Sequence, residues 1–80
     1  MPTVFNDSAL KFFFYSNEGD PREPIHVHVR RGACEAKIWL EPNINIASSY
    51  GFNAKELRAI LGLAEQRVGQ LVEAWHEHFS

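Results

Sequence analysis

Two periodicities divide the chain near residue 52. Before it, apolar residues recur at every second position; after it, they recur at helical spacing. Leu10 to Ser16, LKFFFYS, is rich in aromatics and reads as a strand. Asn17 to Pro24, NEGDPREP, is a polar loop with two prolines and a glycine. From Ile25 to Arg30 the alternation is strict: Ile25, Val27 and Val29 take one face, His26, His28 and Arg30 the other. Ala33 to Leu40 follows as a third strand, joined by a two-residue turn at Arg31-Gly32, where glycine tolerates the positive φ of a type I′ turn. That turn sets Val29 against Cys34, Val27 against Ala36 and Ile25 against Ile38. On the other face His28 meets Glu35 and His26 meets Lys37. A slip of one residue would break every like-with-like pair. Ile44 to Ala47, entered through a turn at Pro42-Asn43, is a candidate fourth strand whose register stays open.

Past residue 52 the pattern is a helix with marked ends. Asn53 is a good N-cap, and Glu56, three residues on, supplies the reciprocal half of a capping box. Phe52 and Leu57 flank the cap as a hydrophobic staple. Leu57, Ile60, Leu61, Ala64, Val68, Leu71, Val72, Trp75 and Phe79 form one stripe. Gly62 and Gly69 each cost roughly 1 kcal/mol relative to alanine, but the stripe crosses both in phase. One long helix over residues 54–79 is expected. The fold class is therefore α+β: a three- or four-stranded antiparallel sheet with one long C-terminal helix on one face, a single domain over residues 1–80. Leu10, Phe12 and Phe14 join Ile25, Val27, Val29, Ala36, Ile38 and Leu40 in the core.

Composition narrows the classes. Eighty residues with 45% hydrophobic and 12% aromatic content suit one folded domain near the lower size limit, which gains from a covering partner or a dimer. The formal charge of −2 is not that of a dedicated nucleic-acid binder. One cysteine, Cys34, excludes an intrachain disulfide, and facing inward it serves as a small hydrophobe. The amino terminus has no basic stretch leading into an apolar run, and no segment reaches the ~20 apolar residues of a membrane span. A cytoplasmic protein with no membrane contact is expected.

The sheet face away from the helix carries the candidate chemistry. Lys11, Phe13 and Tyr15, then His26, His28 and Arg30, then Glu35, Lys37 and Trp39 should point outward. Exposed rings interleaved with cations mark a binding surface. We assign Phe13, Tyr15, His26, His28, Arg30, Lys37 and Trp39 to a face for a partner protein or RNA, since aromatics flanked by basic groups also stack bases. Under a second reading His26 and His28 with Lys37 are catalytic, as in a metal-independent ribonuclease, because histidine titrates near neutral pH. Two strand histidines are too few for a zinc site, and His76 and His78 point about 200° apart on a helix. No metal and no cofactor are expected. The plain structural alternative is a His28–Glu35 contact worth about 0.2–1 kcal/mol, with His76 and His78 serving the helix C-terminus and Trp75 and Phe79 the core.

These residues also carry a resemblance. Phe13-Phe14-Tyr15-Ser16, the HVHV run at His26 to Val29, Ala36-Lys37 with Trp39, Gly51-Phe52, Glu56-Leu57, and Trp75 with His78 together resemble the short bacterial proteins of domain of unknown function family 4160. The match spans nearly the whole chain. Glu23-Pro24-Ile25 precedes the first histidine where family members often place prolines directly against it, a change confined to a loop. The resemblance implies bacterial origin and a second small protein encoded nearby, in pairs suspected to be toxin–antitoxin modules. It implies no activity. The expected function is a small interaction domain of such a pair, as a homo-oligomer (a dimer) or a hetero-complex. The alternative is an RNA-directed toxin.

Overall fold

The computed structural model describes residues 3–15 and 23–79. Among them five strands run β1 (Thr3–Asp7), β2 (Leu10–Phe13), β3 (His26–Arg31), β4 (Cys34–Trp39) and β5 (Asn45–Tyr50). They form one antiparallel sheet in chain order, β1-β2-β3-β4-β5. Two helices follow, α1 (Ala54–Gln66) and α2 (Val68–Phe79). No helix among the described residues is long and apolar enough to cross a membrane.

The α+β class stands, with more strands than the three or four expected. The additional strand is β1, which pairs with β2 through a tight turn at Ser8-Ala9. Both turn residues have positive φ, 50° and 68°. Neither is the Asn or Gly that usually announces such a turn, so the hairpin carries no sequence signal. β2 stops at Phe13 rather than Ser16; Phe14 and Tyr15 continue the alternation outside the ladder, and Ser16 and most of the NEGDPREP loop lie outside the described residues. β5 is longer than the Ile44 to Ala47 segment, and its pairing with β4 skips a residue at Ala47, between Lys37 and Ile38.

The β3–β4 hairpin differs from expectation by two residues. The turn is Gly32-Ala33, with φ of +60° at Gly32. Glycine as the first of two turn residues suits a type II′ geometry. Val29 thus faces Ala36, Val27 faces Ile38, His28 faces Lys37 and His26 faces Trp39. A two-residue shift leaves every side chain on its own face, so like still meets like. It also brings Arg30 opposite Glu35, a contact the other turn would forgo.

The helical layer is two helices, not one. α1 ends at Arg67, whose N–H still donates to the Leu63 carbonyl, while Leu71 N–H donates back to Arg67. The hydrogen-bond ladder bends at Arg67 without losing phase, and Ile60, Ala64, Leu71 and Trp75 all stay buried. The start is as expected: Asn53 accepts from Glu56 N–H at 2.8 Å and Glu56 accepts from Asn53 N–H at 2.9 Å. Arg31 at the end of β3 pairs with Glu56, tying the cap to the sheet. With the cap, this ion pair holds the Glu56 carboxyl below its ordinary range. The nine sheet residues expected inside are all buried, and the apolar stripe of the helices closes over them.

Candidate functional site

The outer face of the sheet is a lattice of three cross-strand rows. Lys11, Arg30, Glu35 and Tyr50 are successive neighbours in the first; Phe13, His28, Lys37 and Ser48 in the second; His26, Trp39 and Asn45 in the third. Strand parity places every expected residue on this side. It does not leave them open. Phe13 and His26 are 0% exposed and His28 is 8% exposed, while Tyr15, Arg30, Lys37 and Trp39 are half-buried. The open aromatic sheet expected from the sequence is corrected to a packed cluster.

The cluster closes by ring-to-ring contact. Tyr15 stands edge-on to Phe13 at 5.1 Å and to His28 at 4.6 Å. Arg30 lies 5.2 Å and Lys11 5.7 Å from the Phe13 ring centre, so two cations cap this phenyl. The Tyr15 hydroxyl donates to Glu35 at 2.9 Å from Oε2, and Arg30 Nη2 donates both to Glu35 Oε1 at 3.0 Å and to the Tyr15 oxygen at 3.1 Å. His28 Nδ1 is 3.6 Å from Glu35 Oε2. Burial, and then the adjacent Glu35 carboxylate, push the Tyr15 phenol above its ordinary pKa, because both disfavour a second negative charge there.

His26 is placed differently from His28. Its ring reaches past the end of the sheet to Trp75 of α2, 5.0 Å away, and packs on Trp39 at 5.5 Å. Its Nδ1 donates to the Pro24 carbonyl at 2.9 Å. The histidine pair therefore splits: His26 joins the outer cluster to the helical layer, and only His28 fronts open space. His76 and His78 are exposed on α2. Among the described residues, no group of three or more His, Cys, Asp or Glu side chains is arranged to hold a metal ion.

The open space is a cleft of about 430 Å³ between β3, β4 and β5, lined by His28, Glu35, Ala36, Lys37, Ser48, Ser49 and Tyr50. Lys37 lines it, while its Nζ lies 4.5 Å from the Trp39 ring centre and 3.3 Å from Glu23, both outside the lining. Tyr50 stands at the rim, 74% exposed, and is the exposed large hydrophobic residue among those described. Sequence reading places His28, Glu35 and Lys37 together but misses Ser48, Ser49 and Tyr50. Their β5 register was open, and a bulge lies inside it. The run SSY before Gly51 is the signal that could have found them: an aromatic between small polar residues, beside a chain reversal.

Fold and site together define a class: a small antiparallel meander with one helical layer, whose uncovered side folds its own rings inward and leaves a polar cleft at the β5 edge. The chain belongs to the family described as Domain of unknown function (DUF4160), whose model matches residues 10–76. That match takes in β2 to β5, both flanks of the cleft and nearly all of the helical layer. No curated protein and no solved structure gives a significant match.

Proposed function

We propose that this domain binds a second small protein, encoded nearby as in a toxin–antitoxin pair, through the cleft between β3 and β5. The observation that carries the reading is the cleft itself. It sets a cation, a carboxylate, an imidazole, the outward hydroxyl of Ser48 and a largely exposed tyrosine around one concave space. Tyrosine at such a rim supplies contact area at low entropic cost, and Lys37 exchanges its ion pair with Glu23 for an acidic group of the partner. Phe13 and His26 act beneath the surface and half-buried Trp39 supports the Lys37 stem, rather than meeting the partner. The test is co-purification of the chain with its neighbouring gene product. Lys37→Met keeps the stem on Trp39 and removes the charge, and should weaken the complex about tenfold, a loss of roughly 1.4 kcal/mol. An unchanged dissociation constant, or a partner that protects α1 and α2 instead of β4 and β5 from hydrogen exchange, would overturn the reading.

A second reading is favoured by one observation, that His28 and Lys37 are cross-strand neighbours in the same cleft. In an RNA-directed toxin His28 would move the proton and Lys37 would stabilise the charge developing on phosphorus. His26, sealed between two tryptophans, takes no part. Overexpression separates the two: a nuclease arrests growth and His28→Ala relieves the arrest, whereas a binding domain leaves growth unchanged on its own.

A further inference from the structure

Among the described residues the sheet ends on β5, an edge whose one guard is the bulge at Ala47. Natural edge strands are blunted by charges, proline or covering elements, because an unpaired row of N–H and C=O groups recruits another strand. β5 reads NIASSY and carries neither a charged residue nor a proline. At the opposite edge β1 has a bulge too, but it adds a charge, Asp7, and a covering side chain, Arg67, 4.6 Å from its Phe5 ring centre. Five of the six β5 residues are exposed, the exception being Ile46.

We propose that two copies of this chain pair antiparallel through β5 about a two-fold axis at Ser49, so that Tyr50 of each copy completes the cleft of the other. Parity selects the register. Opposed residues in an antiparallel pair must share a face. Tyr50 and Ser48 face outward with Glu35 and Lys37, and Ser49 faces inward with Ala36. A pairing centred on Ser49 sets Tyr50 against Ser48 of the second copy, a large ring over a small side chain. Centring on Ser48 would set outward Tyr50 against inward Ile46, because the bulge at Ala47 reverses parity there. The Ser49 register also extends the outer rows across the junction. Lys37 and Ser48 of one copy continue into Tyr50 and Glu35 of the second, so a cation and an anion flank each junction and no like charges oppose. An isologous pairing of this kind closes at two copies and leaves the guarded β1 edges outermost. It does not rest on the partner-protein reading, since it concerns this chain alone.

The test is the mass in solution of the full chain by sedimentation equilibrium, up to about millimolar concentration. The mass should climb from 9.2 kDa toward twice that value. Ser49→Glu and Ser49→Lys each set like charges face to face at the axis and should be monomeric alone. An equimolar mixture of the two should restore the dimer. Tyr50→Ser should weaken the wild-type dimer by roughly tenfold, as truncating a central aromatic does; circular dichroism shows that each variant is folded. A chain that stays at 9.2 kDa throughout overturns the proposal. So does a dimer indifferent to both Ser49 variants, or an edge that pairs only with a co-expressed protein.

Discussion

Tyr15, Glu35 and Arg30 show how much of the outer face is held by single groups. Each hydrogen bond here involves a charged or half-buried partner. Tyr15→Phe should cost about 1 kcal/mol, and Glu35→Ala about 2 kcal/mol, because the second change takes the shared acceptor from both donors. Urea unfolding of the two variants measures the difference, and equal losses would mean the network is not shared. The raised phenol pKa has a pH signature. The folded value lies above the unfolded 10.0, so this contribution is complete below about pH 10 and is lost as pH rises through the folded value. Tyr15→Phe should therefore flatten the alkaline fall in stability. At this scale the direction of each side chain was legible, since period-two alternation sends His26, His28 and Lys37 to one face. Depth was not. Phe13 is sealed because Tyr15, from beyond the strand end, leans over it, and no local pattern encodes that lean.

Among the elements, glycines give the sharpest contrasts. Gly51, φ +86°, links β5 to the cap of α1, and a Cβ there would lie 2.7 Å from Cys34 Sγ and 3.3 Å from its Cα. Gly51→Ala should therefore cost more than about 2 kcal/mol, combining backbone strain with a collision. Gly32, φ +60°, has nothing within 4 Å of such a Cβ, so Gly32→Ala should cost only about 1–2 kcal/mol, from the backbone alone. Gly62 and Gly69 are helical with open space at the Cβ position, and alanine at either should add up to about 1 kcal/mol. Thermal melts of the four variants should rank them in that order; a Gly51→Ala protein as stable as Gly32→Ala would show that the Cys34 contact yields easily. The helix start was readable from Asn53 and Glu56 because capping is a local transaction. The bend at Arg67 was not, because Val68 and Leu71 extend the apolar stripe straight through it.

For the whole molecule, eighty residues leave a small core, and edge pairing would add to it by mass action. If β5 pairs with itself, the melting temperature should rise with protein concentration, and Ser49→Glu should abolish that dependence. A concentration-independent melting temperature in the wild type would mean that folding completes within one chain. The same edge bears on partner binding, since two joined sheets present two clefts side by side and the binding ratio becomes two to two.

By itself the sequence determined the nine core residues of β2, β3, β4 and their flanks, which face the residues of those three strands take, and where the helical layer begins. These follow from short-range periodicity and from the three-residue reach of a cap, both written in neighbouring positions. Tertiary structure decided the rest: the two-residue register of the β3–β4 hairpin, the fifth strand, the closing of rings over Phe13 and His26, and the siting of the cleft beside Tyr50. A shift by two preserves every face, a turn at Ser8-Ala9 resembles no common turn sequence, and burial depends on side chains arriving from elsewhere in the chain. Those choices turn on contacts between distant residues, which alternation along the chain cannot record.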